Sequence, residues 1–316
     1  MVNESAYQLF QDSVDRAAAM GCRVESVAGA RVLDAGVGCR GSLEAGIRLG
    51  RLCLADLGEI KLCPSDSATL VSSNRVHVRT DQPLLSCLGA QYAGWPVQTD
   101  DFFAMGSGPM RLCRGREEVL KELGLSESAG RVVGVLESDK LPSESAVNLI
   151  AEHCGVTTDA VFLAVAPSTC IAGSLQVVAR SVETAMHKLH ELKFDVTKIV
   201  SATGDAPLPP PAKPGDMVGG IGRTNDAMLY GATVTLWADA SDDMIESVAG
   251  QVPSSSSTDH GRPFTEIFKD YEYDFYKVDP MLFSPAVVTI HSLQSGRSWT
   301  QGKIATEVLR QSFGQP

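Results

Sequence analysis

Arg180 and Glu183 are the charged pair in this 316-residue sequence whose spacing best suits chemistry. A helical pattern runs through residues 171–192 and would place both side chains on one face, with Gln176 and His187 along the same line. A carboxyl group beside a guanidinium can carry protons in general acid–base catalysis. The same spacing also suits an exposed ion pair within a helix, worth only a few tenths of a kcal/mol. On spacing alone, the exposed ion pair is the favoured interpretation.

A second candidate is the stretch GSGPMR, residues 106–111, which opens a helix predicted over Pro109–Leu123. Proline at the first helical position would leave the neighbouring backbone N–H groups, including those of Gly108 and Arg111, pointing outward to bind an anion or a carbonyl oxygen. Arg111 opposes the helix dipole, which a bound anion would explain. A serine cap beside a solvated arginine accounts for the same residues equally well. As the functional alternative, we expect Ser107, Gly108 and Arg111 to contact a ligand.

Two further polar stretches are candidate binding segments. Lys140 follows a buried strand predicted over residues 131–137, where it could bind a carboxylate or a phosphate. Solvated surface is the alternative for this lysine. Arg223 and Asn225 lie in a predicted capped turn before residues 227–230, and they could equally line a binding cleft.

The glycines of GVGCRG, residues 36–41, match the pattern G-x-G-x-x-G between a predicted strand at residues 31–35 and a predicted helix at residues 43–53. This is the outline of a dinucleotide site, and it is similar to the first motif of S-adenosylmethionine-dependent methyltransferases. Arg40 stands where the methyltransferase pattern has its third glycine. A tight turn between strand and helix explains the glycines as well. A nicotinamide or S-adenosylmethionine enzyme built on this turn is the alternative function.

Eight cysteines and six histidines are scattered along the chain. None of the cysteines forms a C-x-x-C pair, and most have apolar neighbours. His187 and His190 lie three residues apart, without further ligands in a metal-binding pattern. We therefore expect small buried thiols in a reducing compartment, no disulfide and no metal.

The composition argues against several classes of protein. Apolar residues make up 44% of the chain and charged residues 21%, as in an ordinary globular protein. A net charge of −11 argues against binding to nucleic acid or to an anionic membrane. No apolar run reaches the roughly 18 residues of a membrane span, and residues 1–16 lack the basic start and apolar core of a signal peptide. We therefore expect a cytoplasmic protein.

Predicted strands and helices alternate irregularly, and some strands come in pairs between helices. This order favours a mixed α/β class, α/β or α+β, and argues against a clean doubly wound sheet. Residues 203–216 hold five prolines and are a candidate crossing between two domains.

Six uncommon strings occur in order along the chain, namely LGAQYAGW (88–95), FAMGSGP (103–109), ESDKLP (137–142), ARSVE (179–183), GRTNDA (222–227) and DYEYDFYKVDP (270–280). Together they resemble the methenyltetrahydromethanopterin cyclohydrolases, in wording the bacterial members more than those of methanogens. The resemblance covers nearly the whole chain. Departures occur at Cys170, where relatives tend to have a hydroxyl residue, and in the turn at residues 36–41.

The resemblance implies a two-domain α/β subunit with a deep cleft between its domains, usually assembled as a homotrimer. It also implies a reaction without a metal, prosthetic group or separate cofactor, since the pterin is the substrate. We place residues 93–227, with the predicted long helix, in one domain. Residues 1–92 and 228–316 then form the other, discontinuous domain.

The activity implied is the reversible hydrolysis of 5,10-methenyltetrahydromethanopterin to its 5-formyl form, which in bacteria belongs to the oxidation of formaldehyde. Arg180 and Glu183 match the family's Arg-x-x-Glu motif. The resemblance therefore implies that Glu183 is the general acid–base and that Arg180 orients it. Gln176 and His187 are expected to contact the substrate beside them.

Overall fold

The computed structural model describes residues 1–314, without the side chain of residue 276. Residues 315 and 316, which belong to the predicted discontinuous domain, lie outside the described residues. The helices are α1 (Val2–Asp15), α2 (Leu43–Cys53), α3 (Ser67–Leu70), α4 (Met110–Arg114), α5 (Glu118–Glu122), α6 (Glu144–Cys154), α7 (Ile171–Val178), α8 (Ser181–Glu191), α9 (Met217–Gly231), α10 (Asp242–Ala249), α11 (Phe264–Asp270) and α12 (Thr306–Phe313). Within residues 1–314, no helix is both long and apolar enough to cross a membrane.

The strands are β1 (Arg23–Val27), β2 (Ala30–Asp34), β3 (Gly58–Pro64), β4 (Asn74–Thr80), β5 (Trp95–Gln98), β6 (Phe103–Ser107), β7 (Val132–Glu137), β8 (Val161–Ala166), β9 (Ile199–Pro207), β10 (Thr233–Ala238), β11 (Val287–Ser292) and β12 (Ser298–Gly302). A π-helix spans Leu84–Gln91, and short 3₁₀ turns include Ser254–Ser256 and Pro280–Leu282. The chain thus contains helices and strands in mixed order, which confirms the predicted mixed α/β class.

The chain forms two compact units, and neither is a continuous stretch of sequence. The first contains Met1–Gly58 and Leu85–Gln176, and the second contains Glu59–Leu84 and Val177–Pro316. This division differs from the predicted one because pairing between distant strands sets it. Strand β2 pairs with β8, and β4 pairs with β9. Residues 203–216, the predicted crossing, lie wholly within the second unit.

The sheet of the first unit has the strand order β1-β2-β8-β7-β6-β5. Its centre, β2-β8-β7, is parallel, while β1, β6 and β5 are added antiparallel. Both faces are covered, because Val133 packs in one core with Leu49 of α2 and its neighbour Val132 packs in another with Ile150 of α6. Burial on both faces explains the unbroken apolar runs in β7 and β8.

The sheet of the second unit has the order β12-β11-β10-β9-β4-β3. Strands β10 and β11 pair in parallel, whereas the pairs β11–β12, β9–β10 and β4–β9 are antiparallel. Burial alternates along β9, where Ala202, Gly204 and Ala206 are buried and the residues between them are partly exposed. Helix α8 lies against β9 and β10. The alternation is that of a sheet with one face covered by helices.

The single helix predicted over Pro109–Leu123 is wrong. Gly115 has a left-handed backbone with φ of 58° and ends α4, and α5 begins three residues later at Glu118. Glycine adopts this conformation without the steric cost that other residues incur, so it interrupts the helical pattern here.

Candidate active site

The helix predicted over residues 171–192 is in fact two helices. Helix α7 ends at Val178, and α8 begins at Ser181. Between them, Arg180 has φ −94° and ψ 9°, in the sparsely populated bridge region of backbone conformation where active-site residues often occur. The prediction of one helix was wrong because the helical pattern continues through the break, with no proline or glycine to mark it.

Arg180 is the N-cap residue of α8, and Glu183 lies in its first turn. Unpaired backbone N–H groups and the positive end of the helix dipole favour a negative charge at this position. Arg180 exposes 7% of its surface and Glu183 5%. The exposed ion pair that spacing favoured is therefore excluded, because neither side chain lies in solvent.

The first turn of α8 is packed tightly on the sheet of the second unit. A Cβ atom on Gly204 of β9 would overlap Ser181 Oγ and would lie 3.0 Å from Val182 Cγ2. Glycine at this point of the strand lets the helix start approach the sheet closely. The sheet thus determines where Glu183 stands, one residue beyond Val182.

His187 lies one turn beyond Glu183 on α8. Its Nε2 atom is 3.7 Å from Glu191 Oε1, and its side chain is 17% exposed. The pair spans four residues on one helix face. The structure therefore places His187 at the boundary between the protein interior and solvent.

Gln176 and Ser107 are brought together in the first unit through Cys53. The Cys53 thiol donates to Gln176 Oε1 at 3.7 Å and lies 3.3 Å from Ser107 Oγ. The Ser107 hydroxyl also donates to the Val135 carbonyl at 3.4 Å. All three side chains are buried. Sequence reasoning identified Gln176 and Ser107 but treated Cys53 as a small hydrophobe, because a polar contact of a cysteine in an apolar helix leaves no pattern in the sequence.

The backbone donors around the start of α4 do not point outward as predicted. The Gly108 N–H donates to the Ala90 carbonyl at 2.8 Å, and the Arg111 N–H donates to the Gly108 carbonyl at 3.2 Å. Gly108 has φ of +94°, and a Cβ atom there would lie 3.1 Å from the Val133 carbonyl oxygen. The loop is therefore packed against β7, and these two donors are already satisfied within the protein.

The side chain of Arg111 is also engaged inside the protein. It is fully buried and forms an ion pair with Glu117, whose Oε1 accepts from Nε at 3.0 Å. Its Nη1 donates to the carbonyl groups of residues 88–90 at 3.1 to 3.2 Å. These carbonyls belong to the last turn of the π-helix Leu84–Gln91. Arg111 thus caps the π-helix, which accounts for its conflict with the α4 dipole without a bound anion.

The glycine pattern at residues 36–41 surrounds a carboxylate of the protein itself. Asp34 Oδ1 accepts the N–H groups of Gly36 and Val37 at 2.9 and 2.7 Å, and Oδ2 accepts that of Gly38 at 2.7 Å. A Cβ atom on Gly36 would overlap Cys170 Sγ. Because Asp34 takes the donors that a phosphate would need, this turn serves local packing and offers no support for the nucleotide alternative.

Lys140 lies on the surface in the loop after β7, and its backbone N–H donates to Ser138 Oγ at 3.2 Å. Arg223 and Asn225 lie within α9, so the predicted capped turn is wrong. The Asn225 amide donates to the Ile221 carbonyl at 2.8 Å, one turn earlier in the same helix. Asn225 therefore supports its own helix in this structure.

Arg223 borders a cavity of about 290 Å³ within the second unit. Its Nη1 donates to the carbonyls of Pro210 and Pro211, at 3.2 and 2.9 Å, and so ties the proline-rich loop to α9. Further residues line the cavity, among them Asp216, Gly219, Thr265, Glu266 and Ser312. Charges of both signs meet at this cavity.

Asp226 is a buried acid that sequence reasoning did not single out. It is fully buried in α9, and its Oδ1 accepts the Phe264 N–H at the start of α11 at 2.8 Å. Burial raises the pKa of this carboxyl group to about 7, and the Ser312 hydroxyl and the Phe264 N–H offset that rise only in part. A charged residue on the apolar side of a helix is the signal that could have identified it.

The thiols fit the prediction of small buried groups only in part. All eight cysteines are free; Cys22, Cys53 and Cys87 are buried, while the others are partly exposed. Burial raises the pKa of Cys22 and Cys154 to about 12, which keeps these thiols protonated and unreactive. Among residues 1–314, excluding the side chain of residue 276, no three His, Cys, Asp or Glu side chains are grouped as metal ligands.

The fold and the site together define a mixed α/β protein with a buried carboxyl and guanidinium at the start of one helix, an arrangement suited to proton transfer. The chain belongs to the family described as Cyclohydrolase (MCH), whose model matches residues 1–313.

Curated relatives agree with this assignment, and each bears the name methenyltetrahydromethanopterin cyclohydrolase. The protein from Rhodopirellula baltica is 63% identical over 316 residues, which cover 99% of this chain and 95% of the relative. The protein from Methylobacillus flagellatus is 43% identical over 314 residues, with coverage of 99% and 95%. The protein from Methanococcoides burtonii is 43% identical over 288 residues, with coverage of 90% and 89%.

Proposed function

We propose that this protein hydrolyses 5,10-methenyltetrahydromethanopterin reversibly to 5-formyltetrahydromethanopterin, with Glu183 as the general acid–base. Membership of the cyclohydrolase family and relatives of that name over nearly the full chain support the reaction. The single structural observation that supports Glu183 is its near-complete burial in the first turn of α8, the helix for which Arg180 is the N-cap residue.

The substrate is already electrophilic, because its methenyl carbon belongs to a delocalised amidinium cation. Water attacks this carbon, and Glu183 takes one proton from the water as the C–O bond forms. The C–N10 bond of the hydroxy adduct then breaks, and Glu183 returns that proton to N10. The adduct's hydroxyl proton is released as the formyl C=O forms. One water is consumed and one proton is released, which balances the loss of the substrate's positive charge.

A carboxyl group that serves both steps must take up a proton and hold it until N10 accepts it, without losing that proton to solvent. Burial disfavours the charged form of Glu183, whereas the helix dipole and the neighbouring Arg180 favour it. In this scheme Arg180 orients the carboxylate and stabilises the oxygen that becomes the formyl oxygen.

Gln176, His187 and Ser107 stay predicted substrate contacts, as do Lys140 and Arg223. Gly108, Arg111 and Asn225 are weaker candidates, because the hydrogen bonds observed for them lie within the protein. The proposal further includes no cofactor beyond the pterin substrate, a cytoplasmic location and a homotrimeric assembly.

The direct test is to incubate the purified protein with methenyltetrahydromethanopterin alone and to follow loss of the methenyl chromophore. Turnover without added nucleotide, metal or S-adenosylmethionine is the expected result. Methenyltetrahydrofolate serves as the comparison, and we expect it to be a much poorer substrate. No turnover of the methanopterin compound would contradict the proposed reaction.

A further inference from the structure

Lys188 is a fully buried lysine on α8 that the proposed reaction does not use. It exposes 0% of its surface, although an ammonium group is costly to remove from water. Burial lowers the pKa of this group to about 8, and the carboxylate of Asp279 opposes that change. A protein with a well-packed apolar side chain of similar volume at such a position would usually be as stable or more stable. The lysine therefore calls for an explanation other than stability.

The ammonium joins α8 to two other segments of the second unit. Nζ donates to Ser256 Oγ at 2.9 Å and to the Met281 carbonyl. Asp279 binds the same region from the other side, since its carboxylate accepts from Ser257 Oγ at 2.6 Å and from the Met281 N–H at 2.9 Å. Lys188 is thus at the centre of a network that connects α8 with the turns Ser254–Ser256 and Pro280–Leu282.

This network gives a physical role to part of the string at residues 270–280, which no step of the reaction requires. Asp279 and Pro280 end that string, and they form the turn whose next residue, Met281, accepts from Lys188. Hydrogen bonds from an ammonium are directional, so they favour one rotation and axial position of the helix, whereas an apolar contact tolerates small shifts.

Lys188 lies five residues after Glu183 on the same helix. At 3.6 residues per turn, the two side chains are about 140° apart around the axis and ~7.5 Å apart along it. They therefore project to different sides of α8. Because the helix is broken between Val178 and Ser181, the direction of α7 does not set the direction of α8. Contacts of α8 itself must therefore hold it in place.

We propose that Lys188 is a positioning residue, whose hydrogen bonds to Ser256 and Met281 hold α8 so that Glu183 meets the substrate in reactive geometry. The inference rests on the proposed role of Glu183. Displacing a catalytic group by about 1 Å can cost as much as ~10²-fold in rate. Because the effect acts through geometry, it should appear in kcat and leave substrate affinity nearly unchanged.

The test is Lys188→Met, which keeps an unbranched side chain of similar length and removes the hydrogen bonds. We expect kcat with methenyltetrahydromethanopterin to fall about tenfold or more, with KM, the shape of the kcat–pH profile and the thermal midpoint nearly unchanged. Lys198→Met is the matched control, since this exposed lysine of the same unit should tolerate the change with unaltered kcat. A wild-type kcat in Lys188→Met would overturn the inference, and so would loss of one limb of the pH profile, which would make Lys188 a proton carrier.

Ser256→Ala keeps the inference testable if Lys188→Met does not fold. It removes one of the two acceptors of Lys188, together with the hydrogen bond that Ser256 Oγ donates to the Gln251 carbonyl at 2.8 Å, so we expect a smaller decrease in kcat. Where Lys188→Met does fold, the double variant should be no worse than Lys188→Met alone. A wild-type kcat in Ser256→Ala would count against the network, and so would a double variant whose loss in kcat equals the product of the two single losses. Glu183→Gln is measured in parallel. If it stays active, the proposed function of Glu183 fails and the positioning role fails with it; if it is inactive while Lys188→Met is normal, only the positioning role fails.

Discussion

At the scale of single residues, the environment of a charged group decides what it can do. Glu183 and Arg180 would add little on an exposed helix, since solvent screens such pairs. In this protein they lie almost fully buried at a helix start, where burial and nearby charges affect the free energy of the ionised carboxyl group much more than they do in solvent. The same residue types at the same spacing thus change from a surface ion pair into a candidate catalytic pair.

Glu183→Gln keeps the size and polarity of the side chain but removes the proton carrier. We expect turnover to fall by at least ~10²- to 10⁴-fold, the range typical of general acid–base catalysis. Substrate binding should persist, which equilibrium titration of the variant with the methenyl compound can measure.

Glu307→Gln is the matched control, because Glu307 is 90% exposed on α12 and its loss should leave turnover intact. Arg180→Leu complements both variants. Without the guanidinium that orients Glu183 in the proposed mechanism, turnover should fall in this variant as well. Near wild-type turnover in Glu183→Gln would refute the assignment of Glu183.

Asp226 makes stability depend on pH. Its pKa rises on folding from the ordinary 3.8 to about 7, so the folded state holds this proton more tightly than the unfolded state. The resulting stabilisation is fully present below pH 3.8 and is lost as the pH rises through about 7. Asp226→Asn stays neutral and can still accept the Phe264 N–H. We therefore expect the variant to gain stability relative to wild type as the pH rises from about 4 to 7.

Thermal or urea unfolding of both proteins across this pH range measures the difference. Asp239→Asn provides the control, because Asp239 is an exposed residue of the same unit, and the stability of this variant should follow that of wild type at each pH. A constant difference between Asp226→Asn and wild type would show that Asp226 does not titrate in this range.

At the scale of elements, the contact between β9 and α8 sets the position of the candidate site. Gly204→Ala introduces a methyl group that overlaps Ser181 Oγ and crowds Val182, so either the helix start or the strand must move. Such overpacking typically costs about 1–3 kcal/mol. We expect a lower thermal midpoint and a lower kcat in this variant, measured by calorimetry and by the chromophore assay.

Gly250→Ala is the control of the same chemistry. Gly250 has a right-handed helical backbone with φ of −70° and no atoms within 4 Å of an added methyl group, so this variant should be neutral or slightly more stable. If both variants behaved alike, the close approach of α8 to β9 would not control the site.

Elements with clear local signals were predictable. Helix α2 spans Leu43–Cys53 and β7 spans Val132–Glu137, which match the helix and strand predicted at residues 43–53 and 131–137 to within one residue. Ser143 caps α6, since its hydroxyl accepts the Ala146 N–H, and serine is a residue type that commonly begins a helix. The break before Arg180 was not predictable, because nothing in the local pattern ends a helix there. After the break, α8 packs against β9, and such a contact between separate elements leaves no signal in the local sequence.

At the scale of the whole molecule, assembly is the property least visible in one chain. The family resemblance implies a homotrimer, and we expect light scattering to give about three times the 33.6 kDa of a single chain. The measurement should be made at micromolar concentration and repeated after tenfold dilution, because a weak assembly would dissociate. A stable monomer under both conditions would contradict this prediction.

The amino-acid sequence by itself determined the mixed α/β class, the bounds of strongly patterned elements and, through six ordered strings, the family. It also identified Arg180 and Glu183 as the pair to consider. Only the tertiary structure decided that this pair is buried, that Asp34 satisfies the glycine turn at residues 36–41, and that Arg111 caps a π-helix. The physical reason is that burial and hydrogen-bond partners depend on residues far apart in the chain. Lys188 shows this most clearly, since its partners lie 68 and 93 residues away.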